Sequence, residues 1–366
     1  MRVIIAAGGT GGHLYPAIAL AHEFLRLEPD ATVRFVGTSR GIEVKVLPHE
    51  GFDMDLITAL PVMGVGLRRS LSAFLSLPTG VRESITLLKR HRADLVIGVG
   101  GYTTPPVLLA AFLLRIPRVI VEPNAYPGKA NTMLGPLAHR VFLGFEAASR
   151  YFDSSKVRVV GVPVRRAFLE SRGTETSTKG DKSLLVFGGS RGAHAINEAM
   201  IEALAVLMGD EVLRSTLSIT HQTGEADYER VAGVYKTAGV NGAVVPFLFD
   251  MPAAFRAADL VVSRSGAMTV AELTVSGKPA ILIPFPYAIY QHQAHNADVL
   301  AQAGAALVMG ERELTGPALA KAIAGLLSDP PRLRAMGERS RTLARTDAVE
   351  AIVRECVLVI AQGSRG

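Results

Sequence analysis

The chain contains no tryptophan and a single cysteine, Cys356, in 366 residues. One thiol excludes a disulfide within the chain and any cysteine-rich zinc site, and it suits a reducing compartment. Long apolar runs are missing too. The longest, "VLLAAFLL" at 107–114, falls well short of the ~18 residues a membrane-spanning helix needs. The opening "MRVIIAAGG" has too short an apolar stretch for a secretory signal. These absences point to a protein inside the cell. Charge of one sign does not dominate: 39 basic residues stand against 33 acidic, a net of +6. That excess fits an anionic ligand or an anionic membrane surface. Nucleic acid is not expected as a partner, because no element interleaves basic with aromatic residues.

Two nucleotide signatures are also lacking. There is no G-x-x-x-x-G-K-[ST], which argues against a P-loop nucleotide hydrolase. "GGTGGH" lacks the third glycine of the dinucleotide fingerprint, and the second strand ends in Gly37-Thr38-Ser39. A nicotinamide enzyme would carry an acidic residue there for the ribose.

What is present is a repeated pattern. Length and a hydrophobic fraction of 49% allow two domains, each with its own core. Short β-branched runs alternate with longer helical patterns. In the first half strands are expected at 3–7, 33–36, 95–99, 118–121 and 140–143, and in the second at 184–187, 244–245, 260–263 and 280–283. Runs apolar throughout mark strands covered on both faces, the sign of a parallel α/β sheet. The polar stretch "SRGTETSTKGDK" at 171–182 reads as a surface loop, with the interdomain link nearer "VVGVPVRRAF" at 159–168. The expected fold class is therefore α/β, with two Rossmann-like domains facing a central cleft. The boundaries are 1–162 and 163–340, with a C-terminal helix at about 341–366 packing back on the first domain.

Each half opens with a strand, a glycine loop and a helix: "AAGGTGGHLYPA" at 6–17 and "FGGSRGAHAINEA" at 187–199. A third loop, "GVGGYTTPP", spans 98–106. Glycine loops that open helices present backbone N–H groups at the positive end of the dipole and let a phosphate approach closely. The plain alternative is a tight strand-to-helix turn with no ligand, and three such loops weigh against it. Later, "SRSGAMTVAELTVSGKPAILIPFPYAIYQHQAHNA" at 263–297 ends a strand in Arg264-Ser265-Gly266. Glu272 follows in the next helix and leans back toward its start. A carboxylate there suits the paired hydroxyls of a ribose; the alternative is a glutamate that merely favours the dipole. Gln293 and Asn296 supply amides for sugar hydroxyls.

"GGTGGHLYPA", "GVGGYTTPP", "GGSRGAHAIN" and "RSGAMTVAE" stand in an order and spacing that resemble the MurG family, over about residues 1–350. These are bacterial transferases that add N-acetylglucosamine to lipid I to make lipid II in peptidoglycan synthesis. The resemblance implies a two-domain GT-B fold, UDP-N-acetylglucosamine as donor, membrane-anchored lipid I as acceptor, inversion at the anomeric carbon and no cofactor. Carried over to this chain, Thr10, Gly11 and Gly12 face the donor sugar and diphosphate, with Asn124 beside them. Arg165 and Ser190 contact the donor from the second half. Arg264, Gly266, Ala267, Met268 and Thr269 form the helix start at which Glu272 holds the ribose. Leu248 marks where backbone reads uracil, Gln293 meets the sugar, and the acceptor diphosphate lies near Tyr102.

His13 ends the first loop. With a reference pKa of about 6.5, an imidazole there suits the base that takes the proton of the acceptor 4-hydroxyl; the alternative is a phosphate ligand. His194 ends the second loop one residue later relative to its glycine pair and is expected to be structural. No metal cluster is visible. "GLRRSLSAFLSLP" at 66–78 sets Leu67, Leu71, Phe74 and Leu75 at helical spacing beside Arg68 and Arg69. That is the pattern of a helix at an anionic interface, or of a core-facing helix with a basic edge. The protein is thus expected at the cytoplasmic face of the membrane, peripherally bound. Two other classes stay open: a UDP-N-acetylglucosamine 2-epimerase, which needs no lipid acceptor, and a non-catalytic nucleotide-sugar sensor.

Overall fold

The computed structural model describes residues 1–9, 11–39, 41–60, 67–170 and 181–363, with side chains described for these except 67–74, 289 and 363. The chain divides into two compact units, Met1–Arg165 with Arg345–Gly366, and Arg166–Ala344. The division falls a few residues beyond the boundaries expected above.

In the first unit, β1 (Arg2–Ala7), β2 (Thr32–Gly37), β3 (Met54–Leu56), β4 (Leu95–Gly100), β5 (Arg118–Glu122), β6 (Arg140–Leu143) and β7 (Val157–Val159) form one sheet. Its order is β3-β2-β1-β4-β5-β6-β7, and the paired strands run parallel. Alternation along β1 feeds two cores. Val3, Ile5 and Ala7 pack with Leu14, Ile18 and Phe24 of the helix Gly11–Leu27, whereas Ile4 and Ala6 pack with Leu88, Val107 and Leu108 on the other face. Both faces being apolar explains why the strands show no polar alternation. The C-terminal helix Ala348–Gly363 lays Ile352, Val353 and Cys356 into the first of these cores.

The second unit holds β8 (Lys182–Phe187), β9 (Leu217–Gln222), β10 (Asn241–Val245), β11 (Leu260–Ser263), β12 (Ala280–Leu282) and β13 (Ala306–Val308). Its order is β10-β9-β8-β11-β12-β13, again parallel. Leu184 and Val186 pack with Ile196, Met200 and Leu204 of the helix His194–Leu207 and with Leu319 and Ile323 of the helix Gly316–Leu327.

Four described strands were not legible from the pattern: β3, β7, β9 and β13. Three of them are three-residue strands, too short to carry a period. The fourth, β9, reads "LSITHQ" and looks like a polar loop, yet His221 and Gln222 are buried. In each unit the chain order reverses beside the first strand, between β1 and β4 and between β8 and β11. Loops leaving the carboxyl ends of two strands splay apart there and open a crevice, the usual ligand position in such sheets.

Candidate active site

At the first reversal the loop after β1 meets the loop after β4. Gly9 has φ +96°, and a Cβ on it would lie 2.7 Å from Cε1 of Tyr102; the Tyr102 ring is therefore flush against the first loop. Gly100 has φ +123°, and a Cβ there would lie 2.7 Å from Cδ2 and 2.8 Å from Nε2 of His13. The imidazole rests on this glycine, half-buried at the first turn of the helix Gly11–Leu27. Thr104 locks the second loop: its Oγ1 accepts from the Gly100 N–H at 3.0 Å and lies 2.8 Å from the Gly100 carbonyl. The structure thus brings His13 and Tyr102 to one crevice. Gly11 is half-buried and Gly12 exposed beside them. Thr10 lies outside the described residues.

Beneath the crevice sits a carboxylate that the motifs did not single out. Glu43, the first residue of the helix Glu43–His49, is fully buried. Its Oε2 accepts from the Gly9 N–H at 3.1 Å and its Oε1 from the Thr38 N–H at 3.1 Å. Thr38 Oγ1 in turn lies 3.2 Å from the Tyr102 hydroxyl. One loop donor is therefore committed to Glu43, which braces the first glycine loop from beneath. The sequence signal was a lone acid in the apolar segment "GIEVKVL".

Glu122, the last residue of β5, is a second such carboxylate and is also buried. Oε1 accepts from the backbone and side-chain amides of Asn124 at 2.9 and 3.1 Å, and Oε2 from the Gly128 N–H at 2.8 Å and Asn131 Nδ2 at 2.9 Å. Burial pushes its pKa up while these four donors pull it down. It fixes Asn124 from behind. Arg165 departs from expectation: it belongs to the first unit, not the second, and its guanidinium lies over the Tyr15 ring at 5.0 Å. The boundary expected after residue 162 put it in the second half, whereas the division falls after Arg165.

In the second unit Ser190 is half-buried in the turn that Gly192 N–H closes onto the Gly189 carbonyl at 2.9 Å. His194 is exposed, with Nδ1 3.1 Å from Asp227. Across the reversal, Gly266 caps the helix Ala267–Ser276, and Ala267, Met268 and Glu272 on it are buried, with Thr269 half-buried. Arg264 is buried and held: Nη1 donates to the Ile283 and Pro284 carbonyls at 3.2 and 3.3 Å, and the guanidinium pairs with Glu311 and covers the Phe285 ring. Gln293 Oε1 accepts from the Phe285 N–H at 3.0 Å, and its backbone carbonyl accepts from Ser265 Oγ at 2.7 Å. Asn296 is fully buried, and its Nδ2 donates to the Ser265 carbonyl at 3.2 Å. Expected at sugar hydroxyls, Asn296 instead supports the Arg264-Ser265-Gly266 turn from the inside. Leu248 is half-buried between Phe247 and Phe249, whose rings meet edge to face at 4.8 Å. Tyr290 and Gln291 have φ of +54° and +51°, so the segment before Gln293 holds backbone strain of the kind found at ligand-binding loops.

Comparison with known proteins resolves what these two crevices belong to. Residues 3–143 match the glycosyltransferase family 28 N-terminal domain and residues 183–352 the C-terminal domain of the same family. The chain is 46% identical over 360 residues to a Syntrophus aciditrophicus protein named UDP-N-acetylglucosamine--N-acetylmuramyl-(pentapeptide) pyrophosphoryl-undecaprenol N-acetylglucosamine transferase, covering 98% of this chain and 99% of that one. A crystal structure of Acinetobacter baumannii MurG superposes with a TM-score of 0.76 at 31% identity, covering 97% and 98% of the two chains. The chain belongs to the MurG family. Its two parallel-sheet units are those of a GT-B glycosyltransferase. A UDP-GlcNAc 2-epimerase from Neisseria meningitidis, at 16% identity, TM-score 0.68 and coverage of 98% and 100%, shares the fold alone.

The interfacial stripe read on MurG-like grounds falls on the helix Leu67–Arg90. The side chains of Leu67, Arg68, Arg69, Leu71 and Phe74 lie outside those described, and Leu75 is 69% exposed.

Proposed function

We infer that this chain transfers N-acetylglucosamine from UDP-N-acetylglucosamine to the 4-hydroxyl of the muramic acid of lipid I, giving lipid II with inversion at the anomeric carbon. The observation that carries the reading is identity of 46% to a transferase of that name across 98% of the chain. The two glycine-lined crevices are consistent with it.

In this reading the second unit binds the donor, with Glu272 on the ribose hydroxyls, backbone at Leu248 on uracil, Gln293 on the sugar, and Ser190 and the helix start at Gly266 to Thr269 on the phosphates. Arg264 and Asn296 act from behind, by shaping that helix start. In the first unit the acceptor diphosphate lies against the glycine loops near Tyr102, with Thr10, Gly11, Gly12, Asn124 and Arg165 toward the donor. His13 takes the proton from the acceptor hydroxyl as its oxygen bonds to the anomeric carbon, and the bond from that carbon to UDP breaks with its electrons leaving on the phosphate. Backbone N–H groups at a helix start favour charge developing there.

The enzyme works on the cytoplasmic face of the membrane without crossing it. Among the described residues no helix is long and apolar enough to span a bilayer, and the exposed Leu75 sits on a helix with apolar and basic residues in its first turns. The test is incubation with labelled UDP-N-acetylglucosamine, with and without a lipid I analogue. Label must move only when the acceptor is present. Conversion of the donor to its 2-epimer without acceptor would overturn the transferase reading.

A further inference from the structure

His221 and Gln222 at the end of β9, and Thr223 beyond them, are buried, and so is Asn197 on the helix His194–Leu207. Hydrogen-bond chemistry fixes how His221 and Asn197 are oriented. Asn197 Nδ2 donates to the Thr223 carbonyl at 2.9 Å and to Asp227 Oδ2 at 2.7 Å, a backbone carbonyl and a carboxylate that only accept. Its Oδ1 therefore faces His221 Nε2, 3.1 Å away, and Nε2 carries the ring proton. Nδ1 is left to accept from the Tyr235 hydroxyl at 2.8 Å. Burial pushes the pKa of this imidazole down to about 3, so the neutral tautomer persists at neutral pH. Both side chains have all their polar atoms satisfied, an arrangement that makes a buried polar network rigid.

What this pair holds is the tip of the loop after β9. Gly192 has φ +75°, and a Cβ on it would collide with the Thr223 carbonyl; Gly224 has φ +80°, and a Cβ on it would collide with the Arg191 carbonyl. The loop that carries Ser190 and the Thr223-Gly224 tip thus cross backbone to backbone, at two positions that only glycine fits. On its other side the tip is tied to the end of β10. The Thr223 N–H donates to the Val245 carbonyl at 3.0 Å, and the Pro246 carbonyl accepts from the Gly224 N–H at 3.1 Å and from Gln222 Nε2 at 3.2 Å. Pro246 stands two residues before Leu248. One short segment is therefore fastened both to the second glycine loop and to the chain that leads to Leu248. The Thr223 carbonyl that abuts Gly192 is the one that Asn197 holds.

We propose that His221, acting through Asn197, is a positioning residue for the donor: it holds the Thr223-Gly224 tip against Gly192 and so sets the glycine loop that carries Ser190. The inference rests on the reading that places the donor phosphates at Ser190. His221 is fully buried, so it touches no substrate and takes no part in the chemical step. Its contribution is preorganisation, because a loop already held in its binding shape costs less to order when the nucleotide arrives. An apolar side chain at 221 would leave Asn197 Oδ1 without a donor, and the amide could then turn and release the Thr223 carbonyl. Glutamine offers an N–H and a carbonyl in place of the two ring nitrogens and can keep both bonds.

His221→Leu should weaken calorimetric binding of UDP about tenfold, the worth of one hydrogen bond to a charged group. Donor KM should rise by the same factor, with kcat and the KM for a lipid I analogue close to wild type. His221→Gln should keep the wild-type affinity. In the full chain without nucleotide, hydrogen exchange read by mass spectrometry should quicken in His221→Leu over residues 188–194 and 221–226, but not over β8. Should His221→Leu fail to fold, Asn197→Ala must show the same losses. Wild-type UDP affinity with undisturbed loop exchange in a folded variant overturns the proposal, as do equal losses in His221→Leu and His221→Gln. Affinity lost with no change in loop exchange overturns it too. Quickened loop exchange with UDP affinity intact instead overturns the donor assignment beneath it, because the phosphates would then lie away from Ser190.

Discussion

Replacing Gly100 with alanine tests the role of His13 without touching the imidazole. At φ +123° an alanine is strained by roughly 1–3 kcal/mol, so the loop must shift or store that cost. The new Cβ would sit 2.7 Å from Cδ2 and 2.8 Å from Nε2 of His13. Ordinary carbon contacts lie at about 3.5–4.0 Å, so the ring must retreat by about an ångström. A displacement of that size at a reacting group costs about 10²-fold in rate. The expected result is a folded enzyme with a kcat for a lipid I analogue down by about that factor and donor KM nearly unchanged. His13→Ala should cost about 10²–10⁴ in turnover and abolish the acidic limb of the rate profile. If both act through the same proton transfer, the double variant should be no slower than His13→Ala alone. Wild-type turnover in folded Gly100→Ala, or losses that multiply in the double variant, would refute the assignment. Donor affinity falling in step with turnover would make His13 a phosphate ligand instead.

Glu43→Gln presents an amide donor to one of the two backbone N–H groups that the carboxylate now satisfies. It should destabilise the first unit by about 1.5–3 kcal/mol, read by urea unfolding, and raise the acceptor KM more than the donor KM. Equal stability of variant and wild type would show the carboxylate is idle. Glu272→Ala should weaken UDP binding by roughly 1.5–3 kcal/mol, and unchanged calorimetric affinity in a folded variant would remove Glu272 from the ribose. His221 is buried between Asn197 Oδ1 at 3.1 Å and the Tyr235 hydroxyl at 2.8 Å, and burial pushes its pKa down to about 3. The unfolded chain, with an ordinary imidazole near 6.5, binds the proton first as pH falls. Stability of the second unit should therefore be full above that value and drop by up to about 1.4 kcal/mol per pH unit below it. His221→Gln should flatten this slope between about pH 6.5 and pH 5; an identical slope in the variant would place the titration elsewhere.

The sequence by itself determined the fold class and the places where chemistry gathers. Apolar strands such as "VIIAA" are readable because both sheet faces are buried, and glycine loops because only glycine accepts φ values such as those of Gly9 and Gly100. It did not determine which polar residues stand at a ligand and which stand behind one. Glu43 and Asn296 are buried and bond backbone groups that another segment brings to them, and Glu122 is buried among the backbone and side-chain amides of the residues that follow it. Nor did it show that Arg165 stays with the first unit. Those outcomes are decided by partners distant along the chain. Thr38 reaches Tyr102 across 64 positions and Asn296 reaches Ser265 across 31. A local pattern fixes a residue's type and period, but burial and hydrogen-bond satisfaction are set only when the sheets assemble and the loops at their ends meet.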